Sequence, residues 1–143
     1  MLLQIGGKSV ECLGCRLANS LEEVHVIYEN EHVCCILDVD PFQEGHTLIL
    51  PKKHFTDLVD LDIGTATEIM KASQKITTAL KKVFRVEGVS VCQNGGIFND
   101  LGHYHMHVIP RFKGDGFSWG EPLFEHGAAM RLGETRKKML NPK

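Results

Sequence analysis

Residues 103–111 read His-Tyr-His-Met-His-Val-Ile-Pro-Arg and decide how the rest of the chain is interpreted. Histidine alternates here with aromatic and apolar residues, and successive side chains of a β-strand point to opposite faces of its sheet. The pattern therefore predicts a strand over 103–111 with Tyr104, Met106 and Val108 on its core face and three imidazoles on the other. A single strand histidine is usually a surface residue, whereas three at alternate positions, about 6.6 Å apart, indicate a functional surface.

Four further strands and one long helix are predicted around this stretch. The segments 24–28, 32–39, 46–50 and 88–92 are short, apolar and rich in β-branched residues. Apolar residues recur close to every 3.6 residues from about Ile63 to Phe84, which predicts an amphipathic helix. The fold class is therefore α+β, an antiparallel sheet of about five strands with one long helix.

The 143-residue chain has the length and composition of one globular domain, with 43% hydrophobic and 24% charged residues. No linker or internal repeat divides it, so residues 1–143 are predicted to form a single domain with a C-terminal tail from about residue 113. A net charge of −2 argues against a nucleic-acid-binding surface. No apolar run approaches the roughly 18 residues that a membrane helix requires, so neither nucleic acid nor membrane is an expected partner.

The five cysteines do not form the pattern of a disulfide scaffold. Their number is odd, and two of them, Cys34 and Cys35, are adjacent. Residues 1–11 lack the apolar stretch of a signal peptide. We therefore expect a cytoplasmic protein with reduced thiols, in which Cys34, Cys35 and Cys92 are small core residues.

Several blocks of the chain resemble the histidine-triad nucleotide hydrolases and transferases. The run 103–109 has the form His-apolar-His-apolar-His-apolar-apolar that defines this family, and Pro-Arg after it is also typical. The blocks 38–41 (Asp-Val-Asp-Pro), 45–54 (Gly-His-Thr-Leu-Ile-Leu-Pro-Lys-Lys-His) and 93–95 (Gln-Asn-Gly) are similar to other family blocks at similar spacing. The resemblance covers about residues 12–115 and implies a histidine-triad-like fold that assembles as a two-fold homodimer.

The resemblance also implies a two-step reaction on a nucleotide. His105 is the expected nucleophile, which attacks the α-phosphorus and forms a nucleotidyl-histidine that water or another acceptor then opens. A neutral imidazole is available at neutral pH because its ordinary pKa is about 6.5, and its second nitrogen is expected to donate to a backbone carbonyl. His107 is the expected supporting residue in the phosphate or leaving-group region. The expected substrates are purine nucleotide derivatives such as dinucleoside polyphosphates and nucleoside phosphoramidates.

Three further residues are candidates for substrate binding. Asp38 matches the family acid that accepts hydrogen bonds from the ribose hydroxyls. Gln93 and Asn99, with backbone N–H groups near Asn99 and Asp100, suit the charge on the phosphoryl oxygens. As an alternative, these three side chains serve turn chemistry. Asp100 stands where better-known members often have Ser or Thr, and a carboxylate there repels phosphate unless it is protonated, paired or turned away.

Cys12 and Cys15 have the spacing of a two-ligand zinc knuckle, which redox motifs share. The resemblance implies that His54 and His103 complete a structural zinc site, and mixed thiolate and imidazole ligation is what zinc prefers. The alternative is a pair of free thiols near the N-terminus.

Two other functions are consistent with the residues. One is a hydrolase whose catalytic zinc is bound by His103, His105 and His107, although metal hydrolases usually recruit ligands from more than one element. The other is a nucleotide-binding or interaction protein of the same fold with little catalysis, an interpretation that Asp100 favours. In a homodimer, Trp119 and the segment 114–122 are candidates for reaching the neighbouring site.

Overall fold

The computed structural model describes residues 3–5 and 8–142, and a five-stranded antiparallel sheet forms its centre. In chain order the elements are strands β1 (Leu3–Ile5) and β2 (Lys8–Val10), helix α1 (Leu13–Ala18), strands β3 (Val26–Glu29), β4 (Val33–Leu37) and β5 (Thr47–Pro51), helix α2 (Ile63–Phe84), strands β6 (Gly88–Cys92) and β7 (Met106–Arg111), and helix α3 (Leu132–Leu140). The sheet has the strand order β3-β4-β5-β7-β6, and β1 and β2 form a separate hairpin. The predicted α+β class, with about five antiparallel strands and one long helix, is confirmed.

Helix α2 has the bounds that its apolar period predicts. It begins after Asp62, whose carboxylate accepts from the backbone N–H of Thr65 over 2.7 Å. It ends at Phe84, and the next residue, Arg85, adopts a left-handed conformation. Its buried face includes Ile69 and Ile76. Neither α2 nor another helix in the described part of the chain has the length and apolar character needed to cross a membrane.

The sheet buries apolar side chains on both faces. The larger core lies between α2 and the sheet and includes Val33, Ile49, Tyr104, Met106 and Val108. The smaller core lies on the opposite face, where α1 covers the sheet, and contains Ala18, Cys34, Ile36 and Leu50. All five cysteines are free thiols, and Cys34 and Cys35 are buried as predicted.

The histidine run departs from its prediction at one end, because strand β7 begins at Met106 and not at His103. Gly102, which precedes the histidine run, has a φ of 65°. The backbone N–H of Tyr104 donates to Phe55 O over 2.6 Å and does not pair with a neighbouring strand of the sheet. Of the three histidines, His107 alone pairs within the sheet, between Leu48 of β5 and Cys92 of β6. The predicted burial of Tyr104, Met106 and Val108 in the core is confirmed.

The C-terminal tail contains an element that the sequence pattern did not predict. After β7, Asp115 binds Arg111 over 2.6 Å, and Phe117 packs edge-on against Phe42 with ring centroids 5.1 Å apart. Helix α3 follows, and from residue 118 to 142 every side chain except Ala128 is exposed.

Candidate active site and metal centre

His105 has a single favoured tautomer in this structure. Its Nδ1 lies 2.9 Å from the backbone oxygen of His103, and since a carbonyl only accepts, Nδ1 carries the proton. The lone pair of Nε2 is then free. The His105 ring is almost covered, with 4% of the residue exposed, and the Asp100 carboxylate lies 3.6 Å from Nε2. The expected hydrogen bond to a backbone carbonyl is therefore present.

His107 lies beside His105, and His46 lies beside His107. The rings of His105 and His107 have centroids 5.0 Å apart. His46 Nε2 lies 2.9 Å from His107 Nδ1 and 3.5 Å from Asp38 Oδ2. His46 lies in the block 45–54, but the sequence does not single it out, because nothing local signals its contact with His107, 61 positions away.

Burial keeps two of these imidazoles neutral at neutral pH. Desolvation is the largest cause that lowers the pKa of His107 below its ordinary value, and the neighbouring His105 and His46 lower it further. Desolvation also lowers the pKa of His46, against a smaller opposing effect of Asp38. Both rings are therefore available as hydrogen-bonding groups with one N–H and one lone pair each.

The two amide side chains predicted to bind phosphate are engaged with the protein backbone. Asn99 Oδ1 accepts from the N–H groups of Leu101 and Gly102, over 3.0 and 3.1 Å, while its Nδ2 donates to Thr56 O over 3.1 Å. Gln93 Nε2 donates to Asn94 O over 2.7 Å. These contacts match the alternative turn role and make Asn99 an anchor of the loop before His103.

Asp38 makes the predicted turn contact and also lies beside His46. Its Oδ1 accepts from the backbone N–H of Asp40 over 2.9 Å, which is strand-end turn chemistry. Its Oδ2 lies 3.5 Å from His46 Nε2, and 17% of the Asp38 side chain is exposed. The structure thus brings Asp38, His46, His105 and His107 together on one side of the sheet.

Cys12, Cys15, His54 and His103 form a compact cluster, as the metal-site hypothesis predicts. Their ligand atoms all lie within 4.8 Å of one another, with Cys15 Sγ 3.3 Å from His54 Nδ1 and Cys12 Sγ 3.5 Å from His103 Nδ1. His103 Nε2 donates to Pro51 O over 2.8 Å, which leaves the Nδ1 lone pair facing the thiols. Two sulfur and two nitrogen donors in this arrangement fit zinc.

The thiol chemistry of this cluster also suits a dication. Burial is the main cause that raises the pKa of Cys15 to about 12, and the neighbouring Cys12 adds to it. Without a cation the thiol form is favoured, whereas a bound metal stabilises the thiolate that ligates it.

Two other metal arrangements fit less well. Among residues 3–5 and 8–142, converging ligand atoms form two clusters, and neither contains His105, so His103, His105 and His107 do not share an ion. The second cluster is Asp38, His46 and His107. There the backbone N–H of Phe42 donates to His46 Nδ1 over 3.0 Å, which places the His46 proton on Nε2, the atom that a metal would need.

The metal-free protein is predicted to lose stability as the pH falls. Burial lowers the pKa of His103 to about 4 from its ordinary 6.5, so the unfolded chain binds this proton at a higher pH than the folded chain does. The contribution of His103 to the free energy of unfolding is therefore complete above pH 6.5 and is lost as the pH falls towards 4. From pH 7.5 to pH 5 we expect a loss of about 2 kcal/mol in the free energy of unfolding, measured by urea denaturation after chelation. His103→Gln should flatten this dependence, whereas His126→Gln, at an exposed residue, should leave it unchanged; equal pH dependence in His103→Gln would contradict the assignment.

Comparison with known proteins agrees with the histidine-triad resemblance. A family model described as HIT domain matches residues 20–114. An uncharacterized HIT-like protein of Methanocaldococcus jannaschii is 35% identical over 107 residues, which are 73% of this chain and 82% of the relative.

Two solved structures extend this similarity to the fold. A Zn-bound histidine triad family protein from Mycobacterium smegmatis has a TM-score of 0.71 and 29% identity, covering 93% of this chain and 98% of the other. A histidine triad nucleotide-binding protein from Candida albicans has a TM-score of 0.71 and 25% identity, covering 91% and 97%. With its five-stranded sheet and its histidine run inside the matched segment, the chain belongs to the histidine-triad (HIT) family.

Proposed function

We propose that the protein is a nucleotide hydrolase or nucleotidyl transferase that acts on the α-phosphate through His105. The observation that carries this proposal is the hydrogen bond from His105 Nδ1 to His103 O, which leaves the Nε2 lone pair free beside His107. A fixed tautomer of a neutral imidazole is what a nitrogen nucleophile requires. The nucleotide-binding relative and the family resemblance supply the substrate class.

The proposed reaction has two displacements. In the first, a bond forms between His105 Nε2 and the α-phosphorus, and the bond to the leaving group breaks. The leaving group departs with its electron pair and accepts a hydrogen bond from His107 Nε2–H; an amine leaving group takes its proton from solvent water. In the second, water attacks the phosphorus, the phosphorus–nitrogen bond breaks with its electron pair returning to His105 Nε2, and the proton released by the water passes to solvent. Nucleoside monophosphate and the free leaving group are the products.

The neighbouring residues orient the substrate in this proposal. Asp38 accepts from the ribose hydroxyls, and the phosphoryl oxygens accept from the Asp100 backbone N–H and from Gln93, whose Nε2 exchanges Asn94 O for the substrate. Asn99 contributes indirectly, since it anchors the loop through its contacts with Thr56, Leu101 and Gly102.

Cys12, Cys15, His54 and His103 would hold a structural zinc ion. Zinc bound there would cross-link α1 to His103, two residues before the nucleophile, and no reaction step passes through it. The backbone oxygen of His103 holds His105 while its side chain faces the thiols. The cluster therefore stabilises the orientation of the nucleophile.

The proposed chemistry is tested by trapping the covalent intermediate. The purified protein is mixed with adenosine and guanosine phosphoramidates and dinucleoside polyphosphates, quenched within milliseconds, and its intact mass is measured. We expect a nucleoside monophosphate adduct, located on His105 by peptide mapping. Turnover without any adduct on His105 would refute the covalent mechanism.

A nucleotide-binding protein with little catalysis is the second candidate function. The observation that favours it is the Asp100 carboxylate, 3.6 Å from His105 Nε2, where it repels an incoming phosphate. This candidate predicts nucleotide binding in equilibrium dialysis with no adduct and no turnover, and recovery of turnover in Asp100→Ser. The reducing cytoplasm that the cysteine pattern predicts is the compartment we propose for either function.

We further propose a homodimer in which the exposed tail packs on the second copy. Trp119, Phe124 and Met130 are each more than four-fifths exposed, and β6 is an edge strand. Several large apolar side chains exposed within one short segment are typical of an interface.

The homodimer predicts a mass of about 32 kDa, twice the 16.0 kDa of the chain, in light scattering. Replacing Trp119, Phe124 and Met130 together by Ser should weaken dimerisation at least tenfold, because each contributes buried apolar area to the interface. Val83→Ser, at an exposed position of α2, is the matched control. A monomeric wild type at high micromolar concentration would refute the dimer.

A further inference from the structure

His46 is a buried histidine for which the proposed reaction has no role. It is 6% exposed, precedes β5 directly, and has neighbours at both ring nitrogens. The Phe42 backbone N–H lies at Nδ1, and His107 and Asp38 lie at Nε2. Because both nitrogens have defined partners, the positions of the protons can be deduced.

The proton of His46 is on Nε2. A backbone N–H only donates, so His46 Nδ1 must accept and must be unprotonated. A neutral His46 then donates from Nε2, and His107 Nδ1, 2.9 Å away, accepts. His107 therefore carries its own proton on Nε2, the nitrogen that the proposed reaction uses as a donor.

The same His46 N–H has a second acceptor nearby. Asp38 Oδ2, 3.5 Å from Nε2, is at the outer limit of hydrogen-bond distance, so it competes weakly with His107 for this proton. When ribose hydroxyls donate to Asp38, its carboxylate becomes a poorer acceptor. The His46 proton is then directed to His107 alone.

We infer that His46 is a positioning residue that fixes His107 as a donor at Nε2, and that sharing its N–H with Asp38 couples ribose binding to the donor state of His107. The coupling rests on the proposed function, whereas the tautomer assignment does not. Burial supports both, since desolvation lowers the pKa of His46 and of His107 and keeps both rings neutral.

The tautomer is tested without activity, by ¹⁵N NMR of the imidazole nitrogens in the nucleotide-free protein at pH 7.5. In the wild type, His107 should show a protonated Nε2 and an unprotonated Nδ1. In His46→Leu the Asp38 carboxylate, within 4.8 Å of a His107 ring nitrogen, is an available acceptor for His107 Nδ1, so the Nδ1–H tautomer should become populated. His46→Gln, which keeps an N–H donor of similar reach, should restore the wild-type pattern.

The coupling is tested by steady-state kinetics with one substrate in its ribose and 2′,3′-dideoxyribose forms. In the wild type we expect the dideoxy substrate to lower kcat about tenfold, in addition to raising KM. In His46→Leu, kcat should fall about 100-fold and become equal for the two sugars, which then differ in KM alone. His46→Gln should regain most of the lost kcat, and His32→Gln, at an exposed residue, is the control.

The outcomes separate this inference from the proposed function. An unchanged His107 tautomer in His46→Leu would overturn the positioning role. A sugar effect confined to KM in the wild type would overturn the coupling. If the wild type turns over no nucleotide at all, the proposed reaction fails while the NMR experiment still decides the role of His46.

Discussion

Replacing His105 by Asn is expected to lower kcat/KM for nucleotide substrates on the order of 10⁴-fold and to abolish the covalent adduct. Asparagine keeps an N–H that can donate to His103 O, as His105 Nδ1 does at 2.9 Å, but it has no lone pair on a ring nitrogen to attack phosphorus. Binding should change much less, so KM or the dissociation constant of a non-hydrolysable analogue should stay within about tenfold. Initial-rate assays measure kcat/KM, and intact-mass spectrometry detects the covalent adduct.

The control for this substitution is His126→Asn, which alters an exposed histidine outside the site. Circular dichroism and thermal melting establish that both variants fold. Wild-type turnover in folded His105→Asn would remove His105 from the mechanism and leave the second candidate function, binding without catalysis, as the better interpretation.

Replacing Gly14 by Ala is expected to disrupt the metal cluster. A Cβ at this position would lie 2.3 Å from His103 Cβ and 2.4 Å from Cγ, too close for real atoms and beside a part of the side chain that cannot move away freely. Helix α1 must then shift, which separates Cys12 and Cys15 from His103. We expect zinc content to fall well below one ion per chain and the melting temperature to drop by about 10 °C, as a loss of a few kcal/mol produces in a domain of this size.

The matched control is Gly120→Ala, where a new Cβ meets no atom within 4 Å. Zinc content is measured by elemental analysis after loading and dialysis, and stability by calorimetry. One tightly bound zinc ion per chain in Gly14→Ala, with an unchanged melting temperature, would contradict the proposed packing of α1 against His103.

The sheet and its long helix were predictable because their signals are local and repeated. Helix α2 spans Ile63–Phe84, where six turns of apolar periodicity outweigh any single residue, and β6 spans Gly88–Cys92 as its composition predicts. The four metal ligands were predictable from the family resemblance, and the structure brings them into one cluster. Their occupancy by zinc stays a prediction.

The features that sequence reasoning missed depend on contacts between distant segments. The start of β7 is moved to Met106 because Tyr104 pairs with Phe55, which no pattern within 103–111 reveals. Asn99 anchors its loop because its Nδ2 donates to the backbone oxygen of Thr56, 43 positions earlier. Helix α3 follows a Gly-rich segment and buries none of its residues. Its sequence therefore lacks the apolar stripe from which a helix that packs on the core is predicted.

The double engagement of His103 has a consequence for genetics. Because the His103 ring contacts the thiols and its backbone oxygen accepts from His105, a substitution such as His103→Ala should remove a proposed zinc ligand and also disturb the peptide that orients the proposed nucleophile. Phenotypes at codon 103 will therefore mix two defects. Alleles at Cys12 or Cys15 should isolate the contribution of the proposed zinc ion, and a strain limited for zinc should reproduce them.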